Sequence, residues 1–267
     1  MLEQNKILIM KFGGASVKDS DHFKKIASII AHRKLEFSRI VVVVSAMGNM
    51  TDLLVELGYK VHKSPPRREF DMLVSAGERL SIALLSMALD SIGIDAISFT
   101  GSQSGIITSN EHAKAKIINV RPSRIISSLD QNKVVVVAGF QGVSLDKEVT
   151  TLGRGGSDTT AVALAVGLRA EKVEFYKDVK GICEKDPKIY PEAKILSSIS
   201  YDRAIDLAEE GGVLHPRSLK LAKTNGILLH LLSFNEYFED SVDNLGTKIW
   251  EKNRACAPEY EEGVTVV

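Results

Sequence analysis

Residues 7–16 of the chain read ILIMKFGGAS, and this stretch indicates the fold class. The apolar run at residues 7–10 has the length and composition of a buried strand, and the glycines Gly13 and Gly14 follow it closely. A segment of helical period then covers residues 22–32. A strand, a glycine-bearing turn and a helix in this order are typical of a parallel sheet covered by helices.

The same alternation continues along the chain. Further short apolar runs with strand character occupy residues 40–44, 96–99, 134–138, 173–176 and 227–232. Further segments of helical period occupy residues 51–61, 70–92, 159–168, 201–209 and 214–223. We therefore predict an α/β protein with a largely parallel sheet that is covered on both faces. Ligands of such sheets bind beyond the carboxyl ends of the strands, which directs attention to the residues after each run.

The bulk composition narrows the class of function. The 267 residues include 34 Lys plus Arg and 34 Asp plus Glu, so no global charge attracts nucleic acid or an anionic membrane surface. No apolar run reaches the roughly 20 residues that span a bilayer, and the N-terminal stretch lacks the continuous apolar segment of a signal peptide. We expect a cytoplasmic protein with a small-molecule site and with no nucleic-acid or membrane partner.

The cysteines, the proline-containing polar stretches and the final residues each support a further prediction. Cys183 and Cys256 are far apart and belong to no metal-spaced motif, so we expect reduced thiols. Residues 63–69 and 251–262 are polar and contain proline, which predicts surface loops. The final residues, 264–267, have strand character with nothing after them, and we expect the sequence to stop at the edge of a further domain.

Lys11 and the glycines Gly13 and Gly14 form the first candidate site. Paired glycines let the backbone approach a phosphate closely, their N–H groups can donate to its oxygens, and a lysine adds a mobile positive charge. The spacing is that of neither a Walker loop nor a GxGxxG motif. The alternative is a tight turn between strand and helix with a solvated Lys11.

Residues 151–161 read TLGRGGSDTTA and form the strongest candidate anion site. Three glycines around Arg154 leave the backbone free, and the guanidinium suits bidentate binding of a carboxylate. Ser157 and Asp158 then begin an alanine-rich helix. The alternative is an ordinary loop followed by a helix N-cap.

Other polar positions lie near strand ends and helix starts. Ser45 and Thr51 place hydroxyls around the helix that follows the second predicted strand, although an N-cap role alone would also explain Thr51. Glu78 lies in an otherwise apolar helical segment, either as a solvated residue or as a carboxylate turned into a cleft. Asp178 follows a later strand and suits a magnesium-bound nucleotide or an ordinary turn.

The order of these motifs carries a family resemblance. The chain contains, in order, KFGG, SAMGNMT, SAGERLS, TGSQSGIIT, LGRGGSDTTA, KDVKGI, DPK and VLHP. This order resembles the aspartokinases, of the amino acid kinase family, over essentially the whole chain. The resemblance implies a three-layer α/β/α sandwich around a largely parallel sheet, of the carbamate kinase-like type. It further implies one catalytic domain over residues 1–267, with an amino-acid lobe at about 1–145, a nucleotide lobe at about 146–250 and no regulatory domain.

The resemblance implies an enzyme that phosphorylates the side-chain carboxylate of L-aspartate with ATP to give 4-phospho-L-aspartate. In the family this is the first step towards lysine through diaminopimelate, and towards threonine and methionine. ATP and Mg²⁺ are the implied cofactors, with no direct ligation of the metal by the protein, and a homo-oligomer, a dimer, is the implied assembly. The alternatives are an amino-acid kinase with another acceptor and a catalytically weak homologue that binds aspartate or nucleotide.

Residue roles follow from the same resemblance. Lys11 and Asp158 are the implied catalytic residues, with Lys11 neutralising the transferred phosphoryl group and Asp158 organising the site. Arg154 is expected on the α-carboxylate of aspartate and Glu78 on its ammonium. The implied substrate-binding residues are Ser45, Thr51, Glu78, Arg154, Gly155, Gly156 and Ser157. The implied ATP-binding residues are Lys11, Phe12, Gly13, Gly14, Lys177, Asp178, Cys183, Lys188, Gly212 and Val213.

The chain departs from the family pattern on the nucleotide side. Lys177 replaces a threonine and Gly212 replaces a lysine. Cys183 begins a segment that replaces an aromatic-led one, and Lys188 replaces an arginine. We predict weak ATP affinity and a compensating charge from Lys177. An aspartate carboxylate is ionised at neutral pH, since its unperturbed pKa is about 3.9, so no histidine base is required and His215 is expected to be structural.

Overall fold

The chain forms an α/β protein with two sheets. The computed structural model describes residues 6–185, 187, 189–190, 192–236, 245–251 and 258–261. In these residues the strands are β1 Ile7–Phe12, β2 Arg39–Val44, β3 Ala96–Phe99, β4 Ile106–Thr108, β5 Ile117–Val120, β6 Val134–Ala138, β7 Gln141–Ser144, β8 Val149–Thr151, β9 Lys172–Lys177, β10 Ser198–Ile199, β11 Leu228–Ser233 and β12 Thr247–Ile249. The helices are α1 Ser20–Arg33, α2 Met50–Val61, α3 Arg67–Val74, α4 Ala76–Asp90, α5 Ser123–Asp130, α6 Gly156–Leu168, α7 Tyr201–Glu209 and α8 Pro216–Asn225.

The larger sheet is built around β1. Its order is β10-β12-β11-β9-β1-β2-β6-β3, and every neighbouring pair is parallel except β11 with β12. Strands from residues 39–138 lie on one side of β1, and strands from residues 172–249 lie on the other. The largely parallel sheet and the six predicted strands are confirmed. The pattern does not predict β10 and β12, which are only two and three residues long.

Helices cover both faces of this sheet and give the expected three layers. Ile9 and Val41 point into one core, which α5, α6, α7 and α8 complete. Leu8 and Met10 point into the other, which α1 and α4 complete. Because successive side chains of a strand point to opposite faces, a strand buried on both faces is apolar at every position. This explains the continuous apolar runs in the sequence.

A second sheet, of order β5-β4-β7-β8, was not predicted. Its strands are three or four residues long, too short for alternation to stand out from the surrounding sequence. The sheet matters for the site because its edge strand β8 leads through residues 152–155 into α6. We call residues 152–155 the arginine loop.

The helices differ from the predicted helical segments in several places. The predicted helix at residues 70–92 is two helices, α3 and α4, which meet at Ser75. Helix α3 begins at Arg67, inside the predicted loop at residues 63–69, and α5 is an additional helix. Helix α8 begins at Pro216, because the residue before it is the cap and proline suits the first helical turn.

The stretch Arg67–Asp90 is long and apolar enough, by length and composition alone, to cross a membrane. However, 44% of its most apolar window is buried inside the protein, and the charged residues Asp71 and Glu78 are among the buried ones. We interpret it as a pair of core helices. Some predictions concern residues outside the described ones, namely Lys188, Cys256, residues 264–267 and most of the loop at 251–262.

Candidate active site

The carboxyl ends of neighbouring strands meet at one edge of the large sheet. Strands β9, β1, β2 and β6 are adjacent and parallel. Their carboxyl ends are in register to within one residue, since Phe12 pairs with Val44 and Tyr176, and Val44 pairs with Ala138. The segments that follow these strands therefore converge on one place.

A cleft of about 460 Å³ opens at this edge, a size that suits a small-molecule ligand. Its walls come from the ends of β1, β2 and β6, from α2 and α4, and from the arginine loop with the first turn of α6. The lining consists of Lys11, Gly14, Ser45, Ala46, Gly48, Thr51, Glu78, Phe140 and residues 153–158. Every predicted catalytic and substrate-binding residue lies in this lining.

Lys11 and Asp158 form a buried ion pair in the cleft. Lys11 Nζ lies 2.6 Å from Asp158 Oδ1, and the two side chains are 5% and 8% exposed. The alternative prediction of a solvated Lys11 is therefore wrong. Burial lowers the pKa of Lys11 to about 8, against the attraction of Asp158. Burial alone would raise the pKa of Asp158, but the positive charges of Lys11 and Lys177 hold it at about 2. At neutral pH the pair is therefore charged.

A second lysine contacts the same carboxylate. Lys177, the last residue of β9, donates to Asp158 Oδ2 at 3.1 Å. Each oxygen of Asp158 thus faces one ammonium group, Lys11 on Oδ1 and Lys177 on Oδ2. Two cations around one anion leave a net positive charge, which suits an anionic ligand.

Glu78 is buried, and one of its oxygens is available to a ligand. Its Oε1 accepts from the backbone N–H of Ala46 at 3.1 Å, while its Oε2 has no hydrogen-bond partner among the described residues. The residue is 3% exposed, so the solvated alternative is wrong. Burial raises the pKa of Glu78 to about 8, and the backbone hydrogen bonds and the charge of Lys11 only partly oppose it. A buried oxygen without a donor is a natural place for a ligand N–H group.

The arginine loop owes its shape to glycine. Gly153 and Gly155 have φ of 74° and 70°, a region that glycine adopts without steric cost. Gly155 holds the N-cap position of α6 with no side-chain cap, so Ser157 and Asp158 lie in the first turn and do not cap it. Arg154 is exposed beside the cleft. The helix N-terminus adds partial positive charge to this wall.

Ser45 and Thr51 bring hydroxyl groups to the lining from the end of β2 and the start of α2. Ser45 follows β2, and Thr51 is the second residue of α2. Asn49 holds the N-cap position of that helix, so the N-cap explanation of Thr51 is wrong. Both side chains are half-buried in the cleft wall.

The sequence profile of the amino acid kinase family matches residues 6–233. The chain belongs to the amino acid kinase family. Its resemblance to the aspartokinases is confirmed by the aspartokinase of Bacillus sp. (strain MGA3), which is 47% identical over 237 residues. That match covers 88% of this chain and 58% of the Bacillus protein, so this chain spans little more than half the length of that relative.

Solved aspartate kinases share the fold of this chain. The aspartate kinase of Synechocystis aligns with a TM-score of 0.80 at 42% identity, covering 93% of this chain and 41% of that one. Aspartokinase III of E. coli, solved in complex with aspartate and ADP, aligns with a TM-score of 0.81 at 26% identity. That match covers 93% of this chain and 65% of the E. coli chain. The predicted α/β/α class is confirmed.

Two residues that matter to the cleft are not among the predicted site residues. Ala46 supplies the backbone donor to Glu78, and Phe140 lines the cleft with a φ of 68°. Phe140 follows strand β6, so the rule that ligands bind after strand ends would have found it. Ala46 has no signal of its own, because a backbone donor leaves no trace in the side-chain pattern.

The residues predicted for the nucleotide are more dispersed. Gly14 lines the cleft, and Gly13 is so close to Lys11 that a Cβ there would lie 3.3 Å from its Nζ. Phe12 is buried and stacks on Tyr176 with ring centroids 4.6 Å apart, so only its backbone is available to a ligand. Within the described residues, the cleft lining contains none of the other predicted nucleotide residues except Lys11.

The remaining nucleotide positions follow β9 and α7. Asp178 is exposed, and Cys183 is half-buried and forms a backbone bridge with Ile195. Gly212 and Val213 lie between α7 and α8. A Cβ at Gly212 would lie 2.7 Å from the carbonyl oxygen of Leu207, so the family's lysine does not fit this backbone without a shift.

His215 has a structural role, as expected. Its Nδ1 accepts from the backbone N–H of Arg217 at 3.2 Å and caps α8. The ring packs on Gly155, where a Cβ would lie 2.2 Å from its Cγ. Burial and the nearby Arg217 lower the pKa of His215, which favours the neutral ring that this cap needs.

Proposed function

We propose that this chain transfers the γ-phosphoryl group of MgATP to the side-chain carboxylate of L-aspartate. The observation that carries the proposal is one cleft that combines the charged Lys11–Asp158 pair, the buried Glu78 with an unpartnered oxygen, and Arg154. Phosphoryl transfer between anions needs positive charge, and an α-amino acid needs an anion for its ammonium and a cation for its carboxylate. Similarity to aspartokinases, one of them solved with aspartate and ADP, supports this acceptor.

The proposed reaction forms one bond and breaks one. An oxygen of the aspartate side chain attacks the γ-phosphorus, the bond from phosphorus to the bridging oxygen breaks, and ADP leaves with its electron pair. The nucleophile is already ionised at neutral pH, so no base has to remove a proton. Lys11 stabilises charge on the phosphoryl oxygens, and Asp158 keeps Lys11 charged and in place.

Acceptor choice is assigned to the two ends of the amino acid. Glu78 Oε2 accepts from the ammonium, and Arg154 binds the α-carboxylate. Thr51, Ser157 and Ser45 add hydroxyl contacts, and the backbone of Gly155 and Gly156 closes the wall at the N-terminus of α6.

On the donor side, we assign the phosphates to Lys11, Gly13 and Gly14. Mg²⁺ would enter as part of the MgATP substrate and would neutralise phosphate charge, since the described residues contain no cluster of three side chains that could hold the ion by themselves. Lys177 supplies positive charge that Gly212 cannot, and the departures at Cys183 and Lys188 make ATP binding weak. Asp178 and Val213 complete the residues that we assign to the nucleotide. The product then enters lysine, threonine and methionine synthesis in the cytoplasm, and the enzyme is a dimer.

The first test measures ADP release with L-aspartate, with L-glutamate and with no acceptor. We expect turnover that depends on aspartate, and a loss of at least about 10³-fold in Lys11→Ala, because a charged donor at the phosphoryl group is typically worth several kcal/mol. Turnover that prefers glutamate would favour another acceptor. Bound ADP without any turnover would favour a silent binding protein.

The second test matches acceptor analogues to residues. Succinate is aspartate without the ammonium, and 3-aminopropanoate is aspartate without the α-carboxylate. Glu78→Gln should remove most of the preference for aspartate over succinate, while Arg154→Ala should remove most of the preference over 3-aminopropanoate. If each substitution weakened both preferences equally, the assignment of the two ends would be wrong.

The third test concerns Lys177. Lys177→Ala should weaken equilibrium binding of MgATP about tenfold, since a hydrogen bond to a charged group is worth about 1.5 kcal/mol. Lys180→Ala is the matched control, because Lys180 lies three residues further on and pairs with Glu236 at 2.7 Å. Binding as tight in Lys177→Ala as in the wild type would exclude compensation.

A further inference from the structure

The arginine loop is held from two sides by charged side chains that the proposed reaction does not use. Asp71, on α3, is fully buried, and the side chain of Arg217, in the first turn of α8, is 21% exposed. Both contact the same two segments, residues 113–115 and residues 151–152. The second segment runs directly into Gly153 and Arg154.

Asp71 directs both of its oxygens at these segments. Oδ1 accepts from Thr151 Oγ1 at 2.5 Å and from the Ala113 N–H at 3.1 Å. Oδ2 accepts from the Thr151 N–H at 3.1 Å and contacts His112 Nδ1 at 2.8 Å. Because a carboxylate only accepts, Nδ1 of His112 carries the proton in this contact. A buried carboxylate is costly unless it is hydrogen-bonded, so these contacts determine where Asp71 sits.

Ala113 links Asp71 to the arginine loop. Its φ of 69° lies in the left-handed region, which is unfavourable for alanine and has to be held by neighbours. Asp71 binds its N–H, and its carbonyl oxygen lies against Gly153, where a Cβ would be 3.1 Å away. The strained residue that Asp71 holds is therefore a surface on which Gly153 packs.

Arg217 holds the same region from the side of α8. Its Nη1 donates to the carbonyl oxygen of Leu152 at 2.5 Å, and its Nη2 donates to that of Ala115 at 2.7 Å. Glu261 pairs with the guanidinium and fixes its orientation. The two segments are also joined to each other, since the Ala115 N–H donates to the carbonyl oxygen of Thr151 at 2.9 Å.

We infer that Asp71 and Arg217 are positioning residues that set the backbone of the arginine loop and, through it, the reach of Arg154 towards the acceptor. A loop with two positive-φ glycines has little conformational preference of its own, so its geometry has to come from outside groups. The kinetic consequence rests on the proposed function, whereas the backbone effect does not. The effect falls on the acceptor, because these contacts lead to the arginine loop and not to the end of β1.

Asp71→Asn is the principal variant. The amide keeps the shape of the carboxylate but turns one acceptor oxygen into an NH₂ group, which faces N–H or O–H donors in either orientation. We expect the KM for aspartate to rise at least tenfold while the KM for ATP stays within twofold. We also expect the backbone amides of residues 151–156 to exchange with solvent at least tenfold faster.

Two further variants act on the same contacts. Thr151→Val removes the hydroxyl donor at nearly constant shape, and Arg217→Lys keeps the charge but cannot serve both carbonyl oxygens and Glu261 at once. Both should raise the aspartate KM and local exchange in the same direction, by less than Asp71→Asn. These two variants still test the inference if Asp71→Asn does not fold.

Glu174→Gln is the matched control. Glu174 is fully buried on β9 and pairs with Arg33, whose Nη2 lies 2.7 Å from its Oε1. The substitution also removes a buried carboxylate, but away from the arginine loop. It should lower the melting temperature without changing the aspartate KM or exchange at residues 151–156.

Hydrogen exchange is measured on the free protein, so it tests the backbone effect even if the wild type has no aspartate-dependent turnover. The absence of turnover would overturn the proposed function and leave the backbone effect standing. The inference is overturned if Asp71→Asn and Thr151→Val behave like the control, with stability lowered but with no local rise in exchange and no change in the aspartate KM. Equal increases in the KM for aspartate and for ATP would also overturn it, because they indicate a general loss of structure.

Discussion

At the scale of single residues, burial moves two functional pKa values to the same region. It raises the pKa of Glu78 to about 8 and lowers that of Lys11 to about 8. The proposed reaction needs Glu78 ionised and Lys11 charged. We therefore expect kcat/KM for aspartate to peak near pH 8. It should fall about tenfold per unit on the acid side as Glu78 takes up a proton, and on the alkaline side as Lys11 loses one.

Bound substrates should widen this profile. The ammonium of aspartate lowers the pKa of Glu78, and the phosphates of ATP raise that of Lys11, so kcat should stay level over a broader range than kcat/KM. Glu78→Gln should lack the acid limb. A kcat/KM that is flat from pH 6 to pH 10 would contradict the assignment of these two groups.

The ionised form of Glu78 should also lower the stability of the folded protein. Its pKa in the folded protein is raised from 4.5 to about 8, so the folded state holds a proton that the unfolded state has released. Stability is therefore lost as the pH rises from about 4.5 through 8. Glu78→Gln should be more stable than the wild type at pH 9, by a few kcal/mol, since one pKa unit is worth about 1.4 kcal/mol. Urea denaturation of both proteins at pH 5 and pH 9 measures the difference in their free energies of unfolding. A difference that does not grow with pH would contradict the prediction.

At the scale of elements, the approach of α4 to the end of β2 places Glu78. A Cβ at Gly77 would lie 2.8 Å from the Cβ of Ala46, so only glycine lets the helix come this close. Gly77→Ala should push α4 outwards, lengthen the bond from Ala46 N–H to Glu78 and raise the aspartate KM about tenfold. The better helix propensity of alanine, about 1 kcal/mol, offsets part of the clash in stability. An unchanged KM would show that α4 has room to move.

At the scale of the whole molecule, β1 joins the two halves of the large sheet. It pairs with β2 on one side and β9 on the other, and both cores reach across it. We expect urea to unfold the described region in one cooperative transition, with coincident curves from fluorescence and circular dichroism. Saturating aspartate should shift that transition to higher urea. Two separated transitions would mean that the halves fold independently.

The elements differ in how far the sequence predicted them. Long apolar runs such as residues 134–138 were placed within a residue or two, because a strand buried on both faces is continuous in the pattern. The break at Ser75 was missed, because the apolar positions continue through it and only the packing of two helices reveals it. The short strands of the second sheet were missed because three residues show no period.

By itself the sequence determined the long strands and most of the helices, and it pointed to the predicted catalytic and substrate-binding residues that line the cleft. Apolar period, glycine placement and motif order are local properties of the chain. Only the tertiary structure decided that Lys11 and Glu78 are buried, that Lys177 shares Asp158 with Lys11, and that Asp71 is aimed at Ala113 and Thr151. Burial and pairing depend on strand order and register. These bring residues far apart in the sequence within hydrogen-bond distance, and they exclude the water that would otherwise set the pKa of each group.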